Sequence, residues 1–535
     1  MSEIILIYPP VAKPSEAPAG IAKLAGALRG HGVSCTVADF NFAGLRFLLK
    51  EPLQVDDTWS RRALRHVDKN FAALADPRLY QNFDRYKRAV ADITRVLEMA
   101  GRKTGVGLSL VNYQDVTLSP LRSRDLLTAA ARPQENIYYP FFSKRLAQLI
   151  ETSNPSLIGF SLNYLSQTLV TFAMIGFCRQ RYPELPVVVG GGLVTSWLSR
   201  PEAGKAGWEN PFAGLIDHLI AGPGEHALLE LLQAKGSGEQ LPKVEKVEKI
   251  KVEVQNRLSQ TAESEFALPD FSDFSQLDYL APGRILPYAA SSGCYWNRCS
   301  FCPEKAEGSR YRQIAPQVVV SELKQLVQTV QTGLIHFLDN ALSPALMRTL
   351  IKQPPGVSWY GFARIGDDLG DLEFCRKLRR AGCVMLKLGI ESGDPQVLQA
   401  MQKGISLEQV STVLNNLQQV GIATYVYLLF GTPTEALPEA RRTLDFMVKH
   451  SQAVTFLNLA IFNLPLYSPE SKELEVRDFY SGDLSLYGDF IHPRGWQRRE
   501  VRRFLDQEFK RHPALAPIIK RDPPSFTSNH AAFFV

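Results

Sequence analysis

No apolar run in this chain reaches the roughly 18 to 20 residues that a bilayer-spanning helix needs. The longest candidate, Ala453 to Leu466, is interrupted by Thr455, Asn458 and Asn463. The start is equally short of targeting features: it carries an early acid, Glu3, and prolines at Pro9, Pro10 and Pro14, without the basic start and apolar middle of a signal peptide. Charge of one sign is not in excess. Sixty basic residues stand against fifty-four acidic ones, a formal +6 over 535 residues, too dilute for the basic stripe that nucleic acid requires. The densest basic stretch, Arg494 to Arg503, is interleaved with acids and apolars and reads as a solvated helix face. Cysteine is scarce, and its count of seven is odd, which argues against a disulfide framework. Apolar residues at 45% and charged residues at 21% exclude a disordered or fibrous chain. The expectation is a soluble cytoplasmic protein, monomeric, of two or three domains, with no membrane span and no nucleic-acid partner.

What is present is a repeated grammar of apolar strand, Gly or Pro turn, and amphipathic helix, which predicts parallel α/β sheets. Ile4 to Tyr8 is a strand stopped by Pro9-Pro10, followed by a helix over 20–31 and a strand over 33–39. Leu157 to Ser161 is a strand, 166–182 a helix, and Val187 to Val189 leads into Gly190-Gly191-Gly192. Leu219-Ile220 precedes Gly222-Pro223-Gly224-Glu225 and another helix. A long insertion with its own helices occupies about 45–150 and includes the aromatic stretch Tyr138 to Phe142. The first domain is therefore placed at 1–240 and a charged linker or edge strand at 241–280. Strands at 285–290, 334–339, 357–364, 384–391, 423–431 and 453–462 alternate with helices over 281–466, the pattern of a partial or complete barrel with its chemistry at the strands' carboxyl ends. Residues 467–535 form a C-terminal extension, rich in aromatics and arginines, that would cover the barrel mouth.

The cysteines' distribution matters more than their number. Cys294, Cys299 and Cys302 fall on one Gly-led loop directly after the first barrel strand. Three thiolates so placed can converge on one inorganic centre. A closed zinc site would need a fourth ligand at comparable spacing, and none follows nearby. A four-iron cluster held by three cysteines leaves one iron open to a cofactor or substrate. Chance clustering and zinc remain as the alternatives at this point.

On these residues the chain resembles the radical S-adenosylmethionine (SAM) superfamily. Phe301 fills the aromatic place before the last cysteine, and the final spacing matches. The first gap, Tyr295 to Arg298, is one residue longer than the usual three. Later turns fall in register: Gly389-Ile390-Glu391-Ser392-Gly393 after the fourth strand, Phe337-Leu338-Asp339-Asn340 after the second, Tyr360 to Arg364 at the third, and Leu429-Phe430-Gly431-Thr432-Pro433-Thr434-Glu435 at the fifth. The resemblance implies a [4Fe-4S] cluster on the three cysteines. It further implies SAM contacts from Phe301, Asp339 (to the methionine amine), Arg364 (to its carboxylate), Glu391, Ser392 and Gly431.

Superfamily members with a doubly wound, Rossmann-like domain ahead of the barrel commonly bind cobalamin (B12), and the first half resembles that class. Tyr8-Pro9-Pro10 closes the first strand; Ser161-Leu162-Asn163 followed by Gly190-Gly191 resembles the serine-then-double-glycine pattern that accommodates the nucleotide tail; Gly222-Pro223-Gly224-Glu225 resembles the turn beyond it. Tyr8, Ser161, Gly190, Gly191, Thr195 and Gly222 are the implied cobalamin contacts. The axial-histidine motif is missing from the first turn. Asp39-Phe40-Asn41-Phe42-Ala43-Gly44 imitates its spacing with Asn for His, but it follows the second strand and reads as coincidence. His31, His218 and His226 are expected at surfaces or caps, and Gly190 to Thr195 is not a dinucleotide fingerprint.

The resemblance thus implies a cobalamin-dependent radical SAM methyltransferase acting on an unactivated carbon through a 5′-deoxyadenosyl radical and methylcobalamin. A cyclase or ring-rearranging enzyme with the same cofactors, and a non-catalytic sensor, are the alternatives. No residue is assigned a catalytic role beyond cofactor binding. The implied partners are a small-molecule or peptide substrate and an external electron donor of flavodoxin or ferredoxin type.

Overall fold

Runs of β-branched and large apolar residues buried on both faces form parallel strands, because each face of such a sheet is covered by helices. The computed structural model describes residues 4–55, 57–199, 210–236, 268–477, 481–525 and 530–535. The chain folds as two units. The first comprises Met1–Leu79, Asp84–Ala281 and Tyr480–Leu486, and the second Tyr80–Phe83, Pro282–Phe479 and Tyr487–Val535.

In the first unit, β1 (Ile4–Tyr8) and β2 (Cys35–Asp39) come first, and a small antiparallel hairpin of β3 (Val106–Leu108) and β4 (Tyr113–Asp115) lies within the insertion. After it come β5 (Leu157–Ser161), β6 (Val187–Gly190) and β7 (His218–Ile220). The five main strands are parallel in the order β2-β1-β5-β6-β7. The order reverses direction between β1 and β5, so the ligand crevice of this doubly wound sheet lies beyond the carboxyl ends of those two strands. The predicted helices are present at Ala19–Gly30 and Leu165–Arg181. The aromatic stretch of the insertion is largely core. Tyr138 and Phe142 are buried, and Phe141 lies edge-on to Phe40 at 5.2 Å. The Asp39 to Gly44 imitation is structural: Asp39 caps the helix Phe40–Leu48 by accepting from Phe42 N at 2.9 Å, and Gly44 lies against the Tyr138 ring. The charged stretch 242–254 lies outside the described residues.

The second unit is built on six parallel strands in sequence order: β8 (Ile285–Tyr288), β11 (Leu334–Phe337), β12 (Ser358–Ala363), β13 (Cys383–Glu391), β14 (Ala423–Phe430) and β15 (Phe456–Ile461). Between the first two runs a two-residue antiparallel ladder, β9 (Ser291–Ser292) with β10 (Arg312–Gln313). Helix starts follow the caps written in the sequence: Ser343, Asp371, Asp394 and Ser406 each accept a backbone N–H of the turn they open, each interaction contributing about 1 kcal/mol. Two boundaries of the second unit differ from expectation by three residues. The sixth strand begins at Phe456 because Ser451–Ala453 winds into a 3₁₀ turn. The helix expected over 394–403 ends at Ala400, because Gln402 and Gly404 adopt left-handed conformations. No helix among the described residues is long and apolar enough to cross a membrane.

Candidate cofactor sites

Cys294, Cys299 and Cys302 are all free and half-buried on the loop that β9 and β10 pinch off at its base. Gly293 is required there: its φ is +70°, and a Cβ would stand 2.8 Å from the Arg310 carbonyl. Asp339, at 2% exposure, accepts from Ala290 N at 3.0 Å and from Ser291 Oγ at 2.5 Å. Asn340 reaches the Gly293 carbonyl at 3.3 Å. Both carboxylate oxygens of Asp339 therefore brace the base of the cysteine loop.

The far side of the loop is held by residues 401–404. Ser300 N donates to the Met401 carbonyl at 3.0 Å, and Trp296 Nε1 to the Gln402 carbonyl at 3.2 Å. Arg364 donates through Nη2 to the carbonyls of Lys403 and, at 2.9 Å, Gly404. The guanidinium carbon of Arg364 lies 3.7 Å from the centre of the Trp296 ring. One end of Arg364, expected to meet a methionine carboxylate, is thus committed to backbone beside the loop. Lys403, which sequence reasoning passed over, is paired with Glu391 Oε1 at 2.7 Å and lies 5.6 Å from the Phe301 ring. Burial pushes the Cys299 and Cys302 thiols up, while the Lys403 and Arg364 cations pull Cys299 back down. Among the described residues, no three cysteine, histidine or carboxylate groups close on a point that one metal ion would fill. The donor set, three sulfurs with flanking cations, fits a larger anionic cluster.

The remaining strand-end residues divide into two groups. Glu391 (φ +67°) faces Lys403, and Gly389 leaves them room: a Cβ there would be 2.4 Å from Glu391 Oε1. Ser392 turns the other way, buried against Thr443 Oγ1 at 3.1 Å and accepting from Asp394 N, so it shapes the turn from within. Gly431 (φ +80°) donates its N–H to Glu435, whose other oxygen, Oε1, is buried with no hydrogen-bond partner among the described residues, as is Thr432 Oγ1. Trp496 of the extension donates to Glu435 Oε2 at 3.2 Å, and burial raises the Glu435 carboxyl to about 8. Phe301 and Leu429 pack on Phe462, Leu464 and Phe490, bringing the extension against the loop.

In the first unit, the expected residues meet at the carboxyl edge of the sheet. Ser161 is in register with Gly190. Asn163 donates to Ser161 Oγ at 3.1 Å and accepts from Gly192 N at 3.0 Å. Thr195 Oγ1 donates to the Gly191 carbonyl at 3.0 Å and accepts from Gly222 N at 2.9 Å, joining the turns after β6 and β7. Tyr8 ends β1 beside Asp39, and burial raises its phenol. The segment after Tyr8 is tied down by Asn41, Ser166 and Gln167 and holds no histidine. Tyr164 and Leu165 stand 51% and 40% exposed at the switch point, an apolar ledge with small residues beside it that fits a flat macrocycle with a tail. His31 caps its helix at the Ala27 carbonyl, and His226 pairs with Glu230, as expected. His218 is instead buried, and burial lowers its pKa.

Residues 288–447 match the family model of the radical SAM superfamily. An uncharacterized methyltransferase of Pyrococcus horikoshii is 25% identical over 57% of this chain and 66% of its own length. The anaerobic magnesium-protoporphyrin IX monomethyl ester cyclase of Rubrivivax gelatinosus is 25% identical over 56% of this chain and 55% of its own. The chain thus spans between about half and two thirds of these curated relatives. The structure of the radical SAM methyltransferase TsrM from Kitasatospora setae, with cobalamin and a [4Fe-4S] cluster bound, superposes with a TM-score of 0.54 at 19% identity, covering 89% of this chain and 78% of that one. Residues 288–447 are thus similar to the radical SAM superfamily, and the chain shares its fold with the TsrM structure.

Proposed function

We propose that this protein is a cobalamin-dependent radical SAM enzyme, and that its reaction is methyl transfer to an unactivated carbon of a small-molecule or peptide substrate. The observation that carries it is the cysteine loop: three half-buried thiols at the carboxyl edge of β8, pinned at base and far side and flanked by Arg364 and Lys403. When bound, the cluster and cobalamin would supply reductive cleavage of SAM and a methyl group carried on cobalt, which ordinary side chains cannot. Cys294, Cys299 and Cys302 would hold the cluster, with Phe301, Glu391 and Gly431 bordering the SAM site. Lys403 supplies a positive charge beside Glu391. Tyr8, Ser161, Gly190, Gly191, Thr195 and Gly222 would line the cobalamin crevice. An external flavodoxin- or ferredoxin-type donor would deliver the electron.

The match to a cyclase keeps ring formation as the second reading. Anaerobic reconstitution with iron, sulfide and cobalamin, followed by measurement of 5′-deoxyadenosine and product mass, decides between them. Methyl transfer adds one methylene unit to the product; cyclisation does not. Protein that stays iron-free after reconstitution, or a Cys299→Ala variant with full activity, overturns the reading.

A further inference from the structure

The first gap of the cysteine loop holds four residues, Tyr295, Trp296, Asn297 and Arg298, and its extra length needs a physical accommodation. Asn297 takes a left-handed conformation (φ +42°) that turns the chain within the gap, at an energetic cost for a residue with a Cβ. Two cations then lie over the Trp296 ring, Arg364 at 3.7 Å and Arg298 at 5.0 Å from its centre. At the edge of the ring is Gly404 (φ +63°), where a Cβ would stand 2.3 Å from Trp296 Cζ2. Four successive carbonyls, from Met401 to Gly404, accept from Ser300 N, Trp296 Nε1 and Arg364 Nη2. All four serve the loop or the arginine stacked on it.

We propose that Trp296, held by Arg364 over its ring and by the Met401–Gly404 turn at its edge, is the positioning residue that holds the lengthened cysteine loop in its cluster-binding conformation. This rests on the reading of the three cysteines as a cluster site. The indole fixes the stretch between Cys294 and Cys299, so the loop does not have to lose that freedom when the cluster binds. The same clamp keeps the Arg364 cation beside the thiolates, where positive charge favours the reduced, more negative cluster.

The test compares full-length wild type, Trp296→Ala, Trp296→Phe, Gly404→Ala and the Trp296→Ala/Gly404→Ala double variant. Each is reconstituted anaerobically with iron and sulfide. The readouts are iron retained against a chelator, the EPR spectrum and midpoint potential of the reduced cluster, and melting of the cluster-free protein. Trp296→Ala is expected to retain iron about 10- to 100-fold less well, the range for partners that support metal ligands. Its residual cluster should reduce at a lower potential, while cluster-free melting stays at the wild-type temperature. Trp296→Phe should recover most of the retention. Gly404→Ala should behave as Trp296→Ala does, and the double variant no worse than either single one, because both changes break one contact. Trp296→Ala and Gly404→Ala proteins with wild-type retention and potential overturn the clamp alone. So does a loss that follows a fall in cluster-free melting in every variant. Wild type that takes up no iron overturns the cluster reading and the clamp with it.

Discussion

Glu435 shows what burial does to one ionisable group. It is fully buried, accepts from Gly431 N and Trp496 Nε1, and faces the acids Glu439 and Asp394, whose charges are answered by Arg494 and Arg442. Desolvation raises its carboxyl from the ordinary 4.5 to about 8. The folded state therefore holds a proton that the unfolded state releases near 4.5, and stability falls as pH rises between about 4.5 and 8, then levels. At roughly 1.4 kcal/mol per unit, the whole effect is a few kcal/mol at most. Glu435→Gln keeps a neutral group of the same shape, so its melting temperature should gain on wild type steadily from pH 5 to pH 8; parallel pH profiles for the two proteins would refute a protonated Glu435. The candidate site was legible in the sequence where its residues share one short loop, as the three cysteines do. It was not legible where the role depends on which way a side chain turns. Asp339 and Ser392 lie at the right strand ends but brace their own turns, and Lys403 reaches Glu391 only because the helix before it stops at Ala400.

Among elements, the six strands of the second unit were readable because each is a predominantly apolar run, and the burial of most of their residues agrees with that reading. The insertion was harder. Its aromatics gave no period that distinguishes a pocket wall from a core, and Tyr138 and Phe142 prove to be core. The contact between helix Leu165–Arg181 and helix Ser123–Ala131 depends on one glycine: a Cβ on Gly176 would stand 1.9 Å from the Ala130 carbonyl. No rotamer relieves a clash with backbone, so Gly176→Ala must separate the helices. The expected cost is about 1 to 3 kcal/mol or more, as for overpacking a buried contact, although alanine is the better helix former. Thermal melting should show a clear fall, whereas Gly20→Ala, with open space around it, should melt at or above the wild-type temperature.

For the whole molecule, the two units place their candidate sites on separate sheets, each at that sheet's carboxyl edge, so loading of the two cofactors should be separable by mutation. Gly190→Val tests the first unit. A Cβ at Gly190 finds only ordinary contact, 3.5 Å from Ile220, and its φ is not in the left-handed region, so the sheet tolerates the branch. On the proposed cobalamin reading, the added methyl groups would narrow the crevice that Ser161, Gly190 and Gly191 line. Cys299→Ala tests the second unit, removing one of the three proposed cluster ligands without touching the first. Changes in different units with no shared partner act independently. Gly190→Val should therefore lose cobalamin and keep wild-type iron per chain, Cys299→Ala should lose iron and keep cobalamin, and the double variant should lose both. Cobalamin bound by Cys299→Ala, reduced to the cob(II) state, should show no EPR splitting from a protein nitrogen, since the segment after β1 holds no histidine. Iron loss in Gly190→Val, or cobalamin loss in Cys299→Ala, would mean that neither unit forms its site alone.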